Sequence, residues 1–209
     1  MSACSPSFFQ GIGFRAGCKP PCIGHLTSHM HTMSKLDKFG ALPDEHVPDL
    51  LAPGLKLVFC GTALGRVSAE RCAYYANPGN FFWRTLHNTG LTPGQVRPQD
   101  YAQVLDYGIG LTDLCKAHYG NDNQLPAGAL DAEALRQKIL RYRPAILAFT
   151  SKTGASVYLG RATGDITLGF QPEKVGDTRI YVLPSPSGQA RIFWNQQAWQ
   201  DLADTVRGV

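Results

Sequence analysis

No apolar run in this 209-residue chain approaches the length needed to cross a bilayer. Its first residues lack a basic segment followed by a long apolar core, so no signal peptide is expected. No Gly-Lys-Ser or Gly-Lys-Thr follows the glycine loop at residues 61–65, which excludes a phosphate-binding P-loop there. No Gly-x-Ser-x-Gly turn is present, and Ser185 and Ser187 have no evident His partner, which argues against a serine hydrolase. There is no internal repeat. Charge of one sign is scarce as well: the net charge is +4, a mild excess that permits a polyanionic partner without demanding one.

Six cysteines are present: Cys4, Cys18, Cys22, Cys60, Cys72 and Cys115. The spacing Cys18-Lys19-Pro20-Pro21-Cys22 is able to hold a metal, but no second pair follows. His25, His29 and His31 are only a loose supply of further ligands. The simpler expectation is a reduced protein with incidental thiols, with Cys60 as a small buried hydrophobe and no metal site.

The length suits one domain with a full core, or one domain plus a tail. Residues 1–47 are rich in Pro, Gly, Ser, His and Cys, and neither helical nor strand periodicity persists. They read as an N-terminal extension, poorly structured or loosely packed, with a basic flexible arm as the alternative. Residues 48–209 carry one α/β pattern.

Four apolar strand candidates recur, at Lys56–Cys60, Tyr107–Leu111, Ala145–Phe149 and Ile180–Leu183. Helical patterns separate them. Asn80–Asn88 places Phe82, Trp83 and Leu86 on one face, with Gly90 to stop it. A second pattern spans Pro98–Leu105. Asp131 is placed to cap a helix with Leu135, Ile139 and Leu140 inward, ended by Pro144, and Asn195 to cap a last helix bearing Trp199, Leu202 and Val206. Thr163–Gly169 is expected to add a small hairpin or edge strand. Strand–helix alternation of this kind predicts a parallel sheet covered on both sides.

Ligands of open α/β sheets bind beyond the carboxyl ends of the strands, so residues at those ends are the candidates for chemistry. Gly61-Thr62-Ala63-Leu64-Gly65 allows a tight turn and close backbone approach, or is a plain strand–helix turn. Tyr74 and Tyr75 offer a flat face for stacking a planar ring, or pack under a loop. Asn80 caps its helix or holds the preceding loop. Asp113 is a lone carboxylate at a strand end among apolar neighbours, suited to activating water, or else an N-cap or solvated loop residue. In Pro184–Arg191 two prolines stiffen the loop, Ser185 and Ser187 are able to donate to phosphates, Gly188 allows close approach, and Gln189 and Arg191 project. The bland alternative is a proline-rich turn.

Taken together, these segments resemble the mismatch-specific uracil/thymine-DNA glycosylases, a branch of the uracil-DNA glycosylase superfamily. The resemblance runs from about Lys56 to Val206. It rests on the strand and glycine loop Leu57–Gly65, the aromatic loop and helix start Tyr75–Trp83, Leu105-Asp106-Tyr107 leading into Gly110-Leu111-Thr112, Lys152 after the third strand, and Leu183–Arg191. It implies a three-layer α/β/α sandwich with a central four-stranded parallel sheet. It implies hydrolysis of an N-glycosidic bond in DNA, without a metal or organic cofactor, on a nucleotide swung out of the stack.

By that resemblance Thr62, Ala63, Tyr75, Asn80 and Lys152 line the base pocket, with Tyr75 stacking on the base. Ser185, Ser187, Gly188, Gln189, Ala190 and Arg191 form the wedge and phosphate contacts. The departure is Ala63, where the family loop carries an Asn that positions the attacking water. A methyl group holds no water, so Asp113 is the expected catalytic group. Arg66, Arg71, Arg84, Lys116, Lys152 and Arg191 are candidates for a phosphate-facing surface. The expected partner is DNA containing uracil or a mismatched base, with no membrane, acted on by a cytoplasmic monomer (nucleoid-associated in a bacterium). A catalytically weak or inactive lesion-binding module is the alternative.

Overall fold

A computed structural model describes residues 46–208. The Cys18–Cys22 spacing, His25, His29, His31 and nearly all of the expected extension lie outside the described residues. Of that extension, His46 and Val47 are described, and Val47 is already buried.

The sheet is built from β1 (Leu57–Gly61), β2 (Ile109–Asp113), β3 (Ile146–Phe149), β4 (Gly169–Val175) and β5 (Thr178–Val182), in the order β2-β1-β3-β5-β4. The first four in that order are mutually parallel, and β4 adds an antiparallel edge to β5. The expected four-stranded parallel core is therefore present, with a fifth strand beside it. That strand is not at Thr163–Gly169, whose first residues form a single 3-10 turn, Thr163–Asp165. It begins at Gly169 and contains Gln171, Pro172, Glu173 and Lys174, a composition tolerated only where one side of the strand faces water.

Every residue of β1, β2 and β3 is buried, as expected of strands covered on both faces. On one face, α2 (Phe82–Asn88) and α5 (Gln196–Arg207) pack an aromatic core in which Phe59 stacks on Trp199 at 5.6 Å and meets Phe82 edge-on at 5.1 Å. On the other, α3 (Ala132–Tyr142) and α4 (Lys152–Leu159) cover Val58, Cys60, Leu147 and Phe149. A short helix α1 (Arg66–Glu70) follows the first glycine loop.

The caps are local chemistry: Asp131 accepts from Ala134 N at 2.8 Å and Asn195 from Ala198 N at 3.3 Å. Gly90, at φ +73°, closes α2. The stretch Pro98–Tyr107 is not α-helical but a run of 3-10 turns kinked at Asp100. Among the described residues no helix is long and apolar enough to cross a membrane.

Candidate active site

The strand order turns the chain in opposite directions from β1, toward β2 on one side and β3 on the other. In open α/β sheets such a reversal is where a ligand crevice forms, which here points beyond the carboxyl ends of β1 and β3. The register decides what lines it. Gly61 pairs with Asp113 across β1 and β2, and Thr150 N donates to Cys60 O at 2.9 Å, extending the β1–β3 ladder. Side chains alternate along a strand, so Asp113, Gly61 and Thr150 lie in a row on the face that holds Phe59, Leu111 and Ala148.

The strand expected at Tyr107–Leu111 is shifted two residues along the chain, to Ile109–Asp113. Asp113 is the last residue of β2, because Gly108 (φ +74°) closes the preceding turn and delays the strand. Its side chain is 3% exposed, and Oδ2 has no hydrogen-bond partner among the described residues. Gly61 makes room for it: a methyl group there would collide with Asp113 Oδ1 and lie 3.4 Å from the Tyr75 hydroxyl.

Burial raises the Asp113 carboxyl from 3.8 to about 6; Lys116 opposes the rise, Asp49 adds to it, and Lys138 opposes it more weakly. Those neighbours form a tied group. Asp49 accepts from Thr112 at 2.8 Å and pairs with Lys116 at 3.0 Å and Lys138 at 2.5 Å. Burial pushes Asp49 upward, but the two lysines outweigh it and leave the carboxyl below its ordinary value. Lys116 also donates to Val47 O at 2.7 Å and to the Tyr74 hydroxyl at 2.9 Å. Lys116 is thus held within this group by its contacts while staying part-exposed.

Tyr75 overhangs the row. Its hydroxyl is 3.3 Å from Thr150 Oγ1, and its ring stacks on Phe82 at 3.8 Å with an interplanar angle of 16°. Its backbone is left-handed, φ +52°, which is costly for a bulky residue and is held by its surroundings. Trp83 Nε1 donates to Tyr74 O at 2.9 Å, and Ala76 N to Ser68 Oγ at 3.0 Å. Burial, and Asp113 next, push the Tyr75 hydroxyl well above the ordinary tyrosine range. Tyr74 does not share a stacking face with Tyr75. The two rings are 6.3 Å apart and tilted 37°, and Tyr74 is buried in the core.

The other pocket candidates lie around this row. Thr62 Oγ1 donates to Asp122 at 2.5 Å, and a methyl group on Gly154 in the first turn of α4 would meet the Thr62 methyl at 3.4 Å. Ala63 lies two residues beyond Gly61, and Lys152 is the first residue of α4. Asn80 Oδ1 accepts from Phe82 N at 2.9 Å, so it holds the turn before α2 and is not inside the helix.

The second loop clasps the first aromatic loop. Phe81 N donates to Pro186 O at 2.8 Å, and Gly188 lies so close to Gly79 that a methyl group would come within 2.8 Å of its carbonyl oxygen. The loop is also self-supporting: Ser185 Oγ accepts from Ser187 N, and Ser187 Oγ from Gln189 N. Residues Gly188–Phe193 form 3-10 turns with a kink at Ala190, and Gln189 and Arg191 are exposed. The Arg84 and Arg191 guanidiniums sit over the Phe81 ring at 4.5 and 5.3 Å. Arg66 instead pairs with Glu70 at 3.9 Å, and Arg71 donates to Ala76 O at 3.3 Å.

Thr150 escaped the sequence reading, since a threonine after an apolar strand carries no signal until the register sets it beside Gly61. Among the described residues no three His, Cys, Asp or Glu side chains form a group able to hold a metal.

These features define a doubly wound α/β protein in which one buried acid and a half-buried tyrosine lie together at the carboxyl ends of the strands. Residues 48–203 match the uracil DNA glycosylase superfamily, and the chain belongs to that superfamily. It is also similar in fold to the solution NMR structure of a candidate uracil DNA glycosylase from Methanosarcina acetivorans. The TM-score is 0.55 at 21% identity, over 77% of this chain and 96% of that one.

Proposed function

We propose that the protein is a monofunctional DNA glycosylase of the mismatch-specific uracil/thymine branch, hydrolysing the N-glycosidic bond of uracil with broad tolerance of the opposite base. The observation that carries this reading is Asp113: a buried carboxylate at the end of β2, beside Gly61 of β1, with one oxygen lacking a partner among the described residues and Tyr75 nearby. Superfamily membership supports glycosylase chemistry. Asp113 supports catalysis despite Ala63, because a module that only binds DNA gains nothing from a carboxylate near phosphates.

In this chemistry the C1′–N1 bond breaks with its electron pair leaving on uracil, and the sugar becomes oxocarbenium-like. Ionised Asp113 stabilises that cation, orients water toward C1′ and takes its proton as the C1′–O bond forms. Backbone amides near Thr62 and Tyr75 receive the uracil carbonyls, and Tyr75 stacks on the extruded base. Lys152 and Asn80 border the pocket. Ser185, Ser187, Gly188, Gln189, Ala190 and Arg191 meet the DNA backbone and the vacated space. A carboxylate polarises water more strongly than an amide, which supports efficient uracil removal with less dependence on guanine opposite.

Single-turnover uracil release by the wild type and by Asp113→Ala tests the reading. A loss of 10²-fold or more, about what a general base contributes, is expected, and a loss below about tenfold removes Asp113 from the mechanism. Adding Ala63→Asn to Asp113→Ala should restore part of the rate if both positions serve one pocket. The absence of the loop Asn favours a second reading, a lesion-binding module without catalysis. Tight, salt-sensitive binding to uracil-containing duplex with no base release by the wild type would select it.

A further inference from the structure

Ile192 and Phe193 are 86% and 71% exposed, far beyond Val157 and Leu168, the other exposed large apolar side chains among the described residues. Two adjacent side chains of this kind forgo the gain that burial brings. They do not belong to a loose end. They close the 3-10 turns of Gly188–Phe193, whose start is capped by Ser187 and whose end is fixed by Trp194 N donating to Arg191 O at 3.1 Å. Trp194 packs on Phe81 at 5.1 Å and on fully buried Trp199 at 5.8 Å, so the residue after Phe193 is bolted to the core. The turn is clasped through Gly188 and Pro186 to the loop that leads back to Tyr75 and the crevice.

Charge selects the occupant. Arg191 belongs to the same turn, and Arg84 shares the Phe81 ring with it. Apolar side chains flanked by guanidiniums suit a partner with apolar faces between rails of anions, which describes stacked bases between phosphates. We propose that Ile192 and Phe193 are the element that enters a duplex between base steps while Arg84 and Arg191 hold the flanking phosphates. The apolar part of the wedge then lies just beyond Gly188–Arg191. This rests on the DNA-glycosylase reading for what occupies the crevice, but not on catalysis.

The test uses the full chain and the double variant Ile192→Ser/Phe193→Ser, with 2-aminopurine placed beside a uracil–guanine pair. Saturating wild type is expected to raise the fluorescence several-fold, and the variant to give less than about a quarter of that rise. Uracil release should fall at least about tenfold on duplex and less than about threefold on single strands. Because both residues are exposed, the variant is expected to fold, and Ile192→Val/Phe193→Leu should recover the signal. An unchanged rise with the serine variant, or equal losses on both substrates, overturns the proposal. Wild type that unstacks the duplex without releasing uracil sinks the glycosylase reading and leaves insertion standing. Release without any fluorescence rise does the reverse. A concentration-dependent dimer that the substitutions abolish, with duplex behaviour unaltered, assigns the pair to self-association and also overturns the proposal.

Discussion

Asp113 sits where burial disfavours its ionised form, and that has a stability signature separate from activity. Its carboxyl titrates near 6 in the folded chain against 3.8 when free. The folded state therefore holds this proton more tightly than the unfolded chain, and the contribution favours folding fully below pH 3.8 and is lost as pH rises through about 6. Asp113→Asn, which carries no charge, should stabilise the protein by about 2–3 kcal/mol near neutral pH and by almost nothing near pH 4. Denaturant titration at both values checks this, and equal effects at the two would mean that the carboxylate is not desolvated. Gly61 offers a complementary probe. A methyl group there strikes Asp113 Oδ1, so Gly61→Ala should displace the acid and cost roughly 10²-fold in uracil release with cooperative unfolding retained. Undiminished release would show that the carboxylate works from some other position.

The working parts at the scale of elements are loops held by the helices behind them. Trp83 from α2 holds the aromatic loop, and Trp199 from α5 donates to Pro184 O at 3.2 Å at the root of the second loop. Contact between the two loops is backbone on backbone at Gly79 and Gly188, where neither side can yield cheaply. Gly188→Ala should therefore separate them and slow release roughly 10- to 100-fold, while Gly164→Ala, which meets nothing, serves as the silent control. Equal rates for both variants would deny the clasp a role.

The parallel strands were legible in the sequence because buried strands are continuous apolar runs, and the caps at Asp131 and Asn195 because capping needs only neighbouring atoms. The edge strand β4 was not, since its polar, proline-containing sequence imitates a loop. Nor was α4, whose Gly154 and Ala155 are small to fit against the sheet and carry little helical signal. The polar end of β2 was missed because Thr112 and Asp113 break the apolar run while still pairing with Cys60 and Gly61. The opposite fates of Tyr74 and Tyr75 follow from a left-handed backbone that no periodicity announces.

For the whole molecule, the crevice follows from strand order, and the row Asp113–Gly61–Thr150 from register. Both are long-range properties, so the site's membership was only partly visible, through the residue types at strand ends. The superfamily match begins at residue 48, and the packed core has begun by Val47. Removing residues 1–45 is accordingly expected to leave single-turnover release from a short oligonucleotide within about twofold and the melting temperature within about 2 °C. A larger loss in either would place those residues in the catalytic domain.

The pH dependence of single-turnover uracil release bears most directly on the proposed role of Asp113. In the wild type the rate should climb about tenfold per pH unit toward an inflection near 6 and level off above it. Asp113→Asn should be at least roughly 10²-fold slower, with no inflection there. A flat wild-type profile from about pH 5 to 8, or the same inflection surviving in Asp113→Asn, would contradict a mechanism in which this carboxylate directs the water.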